Sequence, residues 1–234
     1  GLQCDVSLAN SLARRNTLLF KEYADSDPRV RPVLFAIKQW AKARKIGEAS
    51  NQGGSTINSY THVLMALAFL QRRGVIPVLQ RICCTQGSSS HGTVFTDGQE
   101  TYFFTGTLPR SSNCETVGEL LVEFFRYYAF HFDATQQCVS VRLGGTVLRS
   151  AKGWQDNMTS RMLTRDRKPA GLCVEDPFIL DRNCAMSAIR HVWRGLRWEY
   201  ERAFRALVGG HGLNGATENW TRWPSSVYDV LGIY

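Results

Sequence analysis

The sequence contains no long hydrophobic run and no excess of acidic residues. No apolar stretch approaches the roughly 20 residues that a membrane-spanning helix needs, so we expect no contact with a membrane. Lysine and arginine number 28 against 20 aspartate and glutamate residues, which gives the 234-residue chain a formal net charge of +8. This charge favours a polyanionic partner such as RNA, although an ordinary basic surface explains it equally well.

Cysteines are few, scattered and odd in number, which argues against a disulfide framework. The seven cysteines fit reduced thiols, so we expect a reducing, intracellular compartment. Cys83 and Cys84 with His91 do not have the spacing of a structural zinc site, and isolated cysteines are more often buried apolar residues. Internal repeats and low-complexity segments are also absent.

Helical periodicity is the main pattern that the sequence does contain. Its 44% hydrophobic and 21% charged residues are typical of a globular chain. Apolar residues at helical spacing predict helices at 28–46, 58–73, 116–130 and about 183–208. Alternating residues predict a strand at 138–143, and a shorter apolar run lies at 172–177.

The first residues predict a strand that has no partner nearby. Leu2, Cys4 and Val6 alternate with polar residues, and Asp5 lies on the polar face. Residues 8–80 offer no second strand of similar quality, and one strand cannot stand alone. We therefore expect the rest of its sheet to come from another part of a longer polypeptide.

Two motifs in the first half could bind a nucleotide. Lys38 and Lys42 are four residues apart and project from one helix face, where they could hold a triphosphate, although a solvated face is the more frequent use of such a pair. Ser59 and Tyr60 open the next helix, where free N–H groups and a hydroxyl suit an anion and the ring could stack on a base. A helix cap with an ordinary core tyrosine is the alternative.

Taken in order, these motifs carry a family resemblance. They are Cys4-Asp5-Val6-Ser7, Asn16-Thr17-Leu18-Leu19, Ile37-Lys38-Gln39-Trp40-Ala41-Lys42, Ser59-Tyr60 and Glu175-Asp176-Pro177-Phe178 followed by Asn183. The succession resembles the DNA-polymerase-β-like nucleotidyltransferases, and more narrowly the branch that adds poly(A) or poly(U) to RNA. It covers nearly the whole chain and weakens between about 83 and 113 and after 208.

The resemblance implies that Asp5 is the third carboxylate of a site for Mg²⁺ or Mn²⁺. The family's other two carboxylates lie on an earlier strand, which would precede Gly1. Two-metal phosphoryl transfer needs several anionic oxygens to hold its ions. We therefore expect this chain to be inactive by itself and to work with a missing N-terminal catalytic segment of the same polypeptide.

The same resemblance implies which residues hold the nucleotide. Asn16 would bind the ribose and Thr17 a phosphate. Lys38 and Lys42 would bind the β- and γ-phosphates, Ser59 would add a phosphate contact, and Tyr60 would lie against the base.

Base choice depends on the motif at residues 175–179. In uridylyl-specific relatives acidic residues here read the uracil, and Asp176 is retained. A carboxylate accepts a hydrogen bond from uracil N3–H, whereas adenine has no matching donor. Ile179 stands in place of a second acid and Arg182 in place of a histidine, which weakens the expectation of UTP as substrate. The alternative for Asp176 is that it only stabilises the turn before Pro177.

These observations predict an α+β chain with a mostly helical central domain. One strand of the catalytic sheet lies in 1–9. A helical central and PAP-associated domain covers 10–208 and includes a small α+β region near 100–180, and a C-terminal tail covers 209–234.

The predicted function is transfer of uridylates from UTP to RNA 3′ ends. A poly(A) polymerase of the same branch and a non-catalytic RNA-binding module are the alternatives. The sequence looks most similar to RNA-editing terminal uridylyltransferases of kinetoplastid mitochondria, which implies a mitochondrial location and a place in a multiprotein RNA-processing complex.

Overall fold

The computed structural model describes residues 10–47, 56–82, 94–154, 171–219, 221 and 223–228. The strand predicted around Asp5 lies outside these residues. The N-terminal part of the described chain is built from three helices, α1 (Ser11–Ser26), α2 (Val30–Ala43) and α3 (Ser59–Arg72). All three pack together. Helix α2, the middle one in sequence, contacts both α1 and α3.

Asparagine caps set the starts of α1 and α3. The side chain of Asn10 accepts a hydrogen bond from the Ala13 N–H at 2.9 Å, and that of Asn58 accepts one from the Thr61 N–H at 2.9 Å. Each bond satisfies an N–H group that lacks a partner inside the helix. The sequence did not predict α1, because only Leu19 and Tyr23 are buried along it and its apolar stripe is correspondingly thin.

Helix α2 begins two residues later than predicted. Asp27, which precedes the predicted start, accepts hydrogen bonds from the backbone N–H and the guanidinium of Arg29. The chain makes one turn over residues 28–29 before Val30 enters the helix. Pro28 therefore stands in this turn and not in the first turn of α2.

A cluster of aromatic rings forms the centre of the core. Helix α4 (Val117–Arg126), the wider π-helical turn Tyr127–His131 that continues it, and α5 (Arg190–Val208) pack here against α2 and α3. Ring centroids lie 4.9 Å apart for Trp40 and Phe125, and 5.2 Å apart for Trp40 and Tyr200. Offset and edge-on pairs of this kind add to the stabilisation that comes from burial.

The strands among the described residues are short. Strands β1 (Phe95–Thr96) and β2 (Gln99–Glu100) have two residues each and form an antiparallel pair. Strands β3 (Gln137–Ser140) and β4 (Gly145–Leu148) form a second antiparallel pair. The strand predicted at 138–143 stops at Ser140 because the chain turns there. Gly144 and Gly145 have φ of 86° and 126°, values that residues with a side chain rarely adopt.

The segment between residues 171 and 189 is neither strand nor helix over most of its length. The run predicted as a strand at 172–177 makes only isolated bridges, Val139 with Val174 and Glu175 with Asn183. The helix predicted from about 183 begins at Arg190. The buried side chain of Asn183 explains both differences, because its Oδ1 accepts hydrogen bonds from Val174 N and Ala185 N at 2.9 Å each. These bonds hold the chain in an irregular path.

The C-terminal segment packs on α5 and α2. Helix α5 ends at Val208, as predicted, and Gly209 is its C-cap. The helices α6 (Gly212–Ala216) and the short α7 (Ser225–Tyr228) follow. Arg44 forms a buried ion pair with Glu199 of α5 and donates hydrogen bonds to the carbonyls of Glu218 and Asn219. The end of the described chain is therefore tied into the helical core.

The predicted α+β class is confirmed, with helices in excess and two small antiparallel strand pairs. Over the described part of the chain, none of the helices combines the length and the apolar character that crossing a membrane requires.

Candidate nucleotide-binding site

Three of the residues predicted to contact the nucleotide form one chain of hydrogen bonds. The hydroxyl of Tyr60 lies 3.1 Å from Asn16 Oδ1 and 3.3 Å from Asp176 Oδ2. A hydroxyl has a single hydrogen to donate, so both contacts are satisfied together if the Asn16 amide is turned round and donates its NH₂ to the tyrosine oxygen. Residues on α1, on α3 and directly before Pro177, which are 44 and 116 positions apart along the chain, thus meet at one point.

Tyr60 lies at the first turn of α3 with its ring half-buried. The ring packs against Phe20 of α1, with a centroid distance of 5.4 Å and a tilt of 36°. Burial, followed by the negative charge of Asp176, raises the pKa of Tyr60 well above its ordinary value. The hydroxyl therefore stays protonated and remains a hydrogen-bond donor.

Asp176 is buried, and each of its carboxylate oxygens has a different set of neighbours. Oδ1 accepts hydrogen bonds from the backbone N–H groups of Phe178 and Ile179, both at 3.0 Å. Oδ2 faces Tyr60, and the Arg182 guanidinium approaches it to 3.8 Å. The turn-stabilising role considered as an alternative is therefore real for Oδ1, while Oδ2 points toward the residues assigned to the nucleotide.

The turn that carries Asp176 is braced from two directions. Gln80 donates a hydrogen bond to the carbonyl of Pro177 at 2.9 Å. The ring of Phe178 stacks on Phe103 with a centroid distance of 6.2 Å, and the guanidinium of Arg15 covers the Phe103 ring at 4.5 Å. Arg15 is the neighbour of Asn16, so these contacts connect the turn back to α1.

Lys38 and Lys42 lie on the exposed face of α2. Neither forms an ion pair with any of the residues that the structure describes. Two uncompensated ammonium groups one helical turn apart suit an anion such as a triphosphate. They lie on the helix that contacts both α1 and α3. Among the described residues, no hydrogen bond or ion pair joins them to the hydrogen-bond chain around Tyr60.

Ser59 and Thr17 both lie exposed at the surface. Ser59 is the first residue of α3, and Asn58 caps the Thr61 N–H of this turn. The N–H groups of Ser59 and Tyr60 have no partner within the helix and can meet an anion. Thr17 donates its hydroxyl hydrogen to the Ala13 carbonyl of its own helix at 3.0 Å. Its hydroxyl hydrogen is therefore used within the helix in this structure, and its contact with a phosphate stays a prediction.

His62 fixes the start of α3 from inside the core. It is fully buried, and its Nε2 lies 3.0 Å from the carbonyl oxygen of Ile46, which follows α2. Burial lowers the pKa of His62 to about 4, so the ring is neutral at ordinary pH and donates to that carbonyl. The contact sets the position of the end of α2 relative to the helix that carries Ser59 and Tyr60.

The metal site assigned to Asp5 lies outside the described residues. Within them, no three side chains of aspartate, glutamate, histidine or cysteine are grouped so that they could hold a metal ion. Asp176, the buried carboxylate of the nucleotide site, already has hydrogen-bond partners on both oxygens. The described residues therefore do not themselves form a metal site, and the assignment of the metal to Asp5 stays a prediction.

Cys184 is the neighbour of this site that the sequence did not single out. Its thiol lies 3.7 Å from Asp176 Oδ2, and burial raises its pKa so that it stays protonated and can donate weakly. Its carbonyl accepts a hydrogen bond from Thr61 of α3 at 2.9 Å. The sequence feature that could have identified Cys184 is its position directly after Asn183 of the family motif.

Comparison with known proteins agrees with this arrangement. The PAP-associated family model, described as Cid1 family poly A polymerase, matches residues 116–182. The poly(A) RNA polymerase cid13 of Schizosaccharomyces pombe is 35% identical over 230 residues, which cover 96% of this chain and 37% of the relative. The terminal uridylyltransferase cid1 of the same organism is 30% identical over 212 residues, which cover 88% of this chain and 50% of the relative.

The folds agree as well. A solved structure of Cid1 in complex with the UTP analogue UMPNPP superposes with a TM-score of 0.75 at 30% identity, covering 90% of this chain and 65% of that one. The chain thus spans half or less of the length of the two curated relatives. By its motifs, its fold and these similarities, the chain belongs to the Cid1 family of poly(A) and poly(U) polymerases and terminal uridylyltransferases.

Proposed function

We propose that the full-length protein transfers uridylates from UTP to the 3′ end of RNA, and that this chain supplies the surface that binds the nucleotide. The observation that carries the proposal is the hydrogen-bond chain from Asn16 through Tyr60 to Asp176. It brings the residues assigned to ribose and base together in one place. The similarity to a structure of Cid1 with a UTP analogue supports the same substrate.

The lysines of α2 would provide most of the binding energy for the triphosphate. Lys38 and Lys42 are exposed and carry full positive charges without an acidic partner among the described residues. Their charge would also stabilise the departing pyrophosphate as negative charge develops on it during transfer. Ser59 would add a hydroxyl at the start of α3.

Uracil would be recognised beside the turn formed by residues 176–182. Asp176 Oδ2 can accept a hydrogen bond from uracil N3–H, directly or through a water molecule, because Tyr60 leaves part of its acceptor capacity free. The Arg182 side chain is 57% exposed and can donate to a uracil carbonyl. Ile179 offers neither group, so the selectivity would rest on Asp176 and Arg182.

Asp5 and the upstream carboxylates of the family would hold Mg²⁺, which neutralises charge on the reacting phosphate. The described residues do not form this site, so this part of the proposal rests on the family resemblance alone.

A poly(A) polymerase is the second candidate. The curated relatives include both a poly(A) RNA polymerase and a terminal uridylyltransferase at similar identity. Ile179, which replaces an acid of the uridylyl-specific pattern, favours adenine at this position.

The experiment is a primer-extension assay with the purified full-length protein, Mg²⁺ and a short single-stranded RNA. Each of the four nucleoside triphosphates is offered alone and then in equimolar mixture. We expect UTP to be incorporated in preference to ATP. Preference for ATP would replace the uridylyl assignment with poly(A) synthesis, and no incorporation of any nucleotide would support the non-catalytic RNA-binding module.

The mitochondrial location and the role in RNA editing within a multiprotein complex stay predictions. They are tested by imaging the tagged full-length protein in its own cells against a mitochondrial marker, and by identifying the proteins that co-purify with it. A protein that is found only outside mitochondria contradicts the location and with it the editing role.

A further inference from the structure

The outer face of α5 carries a row of arginines that the nucleotide site does not use. Arg190, Arg197 and Arg205 are all exposed. Their spacing of seven and eight residues places them on one side of the helix. Glu201 is the acid on the same side, and it is paired with Arg205 through bonds of 2.9 and 2.7 Å. Counted by formal charge, Arg190, Arg197 and Arg205 against Glu201 leave this face positive.

Two aromatic rings lie beside this row. Phe130, in the π-helical turn after α4, is 45% exposed. It meets Phe204 of α5 edge-on, with a centroid distance of 5.6 Å. Arg197 donates from Nε to the carbonyl of Ala129 at 2.7 Å, which fixes its guanidinium next to Phe130. No acceptor for its terminal nitrogens is found among the described residues.

The arginine row starts close to the nucleotide site. Arg190 follows directly after the segment that contains Asp176 and Cys184. Ser187 in this segment donates a hydrogen bond to the Thr56 carbonyl at 2.7 Å, so the start of α5 lies near the start of α3. From Arg190 to Phe204 the helix rises about 21 Å, a length that several nucleotides of an extended strand can follow.

We propose that the single-stranded RNA acceptor lies along this α5 face, which consists of Arg190, Arg197, Phe204 and Arg205 together with Phe130. Its 3′ end points toward the nucleotide site, its phosphates face the arginines, and an unstacked base lies against Phe130. Proteins bind single strands through this combination of a positive track and exposed rings. The inference rests on the proposed function, since it assigns the path of that reaction's RNA substrate.

RNA fits the face better than a protein partner because of its charge. The arginines favour an anionic partner along the length of the face, whereas the exposed ring of Phe130 and the half-buried ring of Phe204 lie toward one end of it. A nucleic acid strand supplies phosphates at regular intervals and bases for the rings, so both features are used by one ligand.

The test measures binding of a fluorescent oligoribonucleotide of about 15 residues to the full-length protein and its Phe130→Ala variant by anisotropy. Phe95→Ala is the matched control, since Phe95 is 64% exposed on the β1–β2 hairpin and lies outside the α5 face. We expect Phe130→Ala to weaken RNA binding about tenfold and Phe95→Ala to leave it unchanged. Equal affinities of the two variants would overturn the proposal.

Two further variants guard against an effect of folding. Phe130→Leu keeps the apolar contact with Phe204 but has no ring for stacking, so it should fold normally and still bind RNA weakly. Arg205→Gln should reduce the salt dependence of RNA binding, and Arg205→Lys should restore it. A Phe130→Leu variant that binds RNA like the wild type would also contradict the assignment.

The same proteins separate this inference from the proposed function. Uridylate transfer to a dinucleotide acceptor, which is too short to reach Phe130, should be equal in wild type and Phe130→Ala. If the wild type transfers no nucleotide to any acceptor, the proposed function fails, and the anisotropy measurement still decides whether the α5 face binds RNA. If transfer occurs but Phe130→Ala binds long RNA normally, only the α5 assignment fails.

Discussion

At the scale of single residues, the structure adds a role to Tyr60 that the sequence did not contain. The ring was predicted as a surface under the base, and the hydroxyl links Asn16 to Asp176. Sequence motifs placed all three residues in the nucleotide site. They could not show that the residues are bonded to one another, because bonds across 44 and 116 positions depend on how the helices pack.

Separate changes to the ring and to the hydroxyl of Tyr60 should show what each contributes to nucleotide binding. Tyr60→Ala should weaken UTP binding by about 1–3 kcal/mol if the ring stacks on the base. Tyr60→Phe keeps the ring and should have a smaller effect on UTP affinity, with a loss of preference for UTP over ATP as Asp176 Oδ2 loses its donor. Calorimetric titration with both nucleotides measures these changes.

Tyr23→Phe is the control for this pair of variants. Tyr23 is a buried tyrosine of α1 whose hydroxyl accepts hydrogen bonds from Gln71 and from Leu79 N–H, outside the nucleotide site. Its loss should lower stability without changing UTP affinity. If Tyr60→Ala behaves like Tyr23→Phe, Tyr60 belongs to the core and not to the nucleotide site.

His62 should make the stability of the protein depend on pH. Its pKa in the folded state is about 4, below the ordinary 6.5, so protonation favours the unfolded chain. The stability that the neutral ring allows is present above pH 6.5 and is lost as pH falls toward 4, by about 3 kcal/mol at most. Urea titrations across this range should show the loss. In a His62→Gln variant, the free energy of unfolding should depend less steeply on pH over this range. The same pH dependence in the variant and the wild type would contradict the assignment to His62.

At the scale of elements, periodic helices were predictable and the segment 171–189 was not. Helices α3 and α4 start and end within a few residues of the predicted bounds because each has an apolar stripe and a side-chain cap. The segment 171–189 has apolar residues too, but its path depends on side-chain bonds such as those of Asn183. Periodicity contains no information about such bonds.

The buried ion pair of Arg44 and Glu199 joins α2 to α5. Arg44 donates to Glu199 at 2.9 and 3.0 Å with both side chains almost fully buried. Glu199→Gln should destabilise the protein by about 3–5 kcal/mol, since it leaves the arginine charge buried without its partner. In a double-mutant cycle, Arg44→Met combined with Glu199→Leu should cost clearly less than the sum of Arg44→Met alone and Glu199→Leu alone, each compared with the wild type. Denaturant unfolding of the four proteins measures the cycle, and strict additivity would show that the two charges do not stabilise each other.

At the scale of the whole molecule, the α+β class and the family followed from ordered motifs, while α1 and the packing of the C-terminal segment did not. Helix α1 has too few buried residues for its periodicity to be recognised. Trp223 donates to Glu199 Oε1 at 3.2 Å, and nothing in the sequence around Trp223 predicts a contact with α5. Asp5 lies outside the described residues, so its place in the catalytic sheet stays a prediction.

The Asn16–Tyr60–Asp176 chain of hydrogen bonds is proposed to form the uridine-binding part of a nucleotidyltransferase. The most direct test of this assignment is the ratio of kcat/KM for UTP to kcat/KM for ATP. It is measured for the full-length wild type, for Asp176→Asn and for the control Asp181→Asn. Asp181 lies in the same turn as Asp176, but its side chain is exposed. We predict that wild type and Asp181→Asn prefer UTP and that the ratio in Asp176→Asn falls at least about tenfold, as expected when a buried acceptor is lost. A ratio that is the same in all three proteins, or a wild type that prefers ATP, would contradict the assignment of this hydrogen-bond chain to uridine.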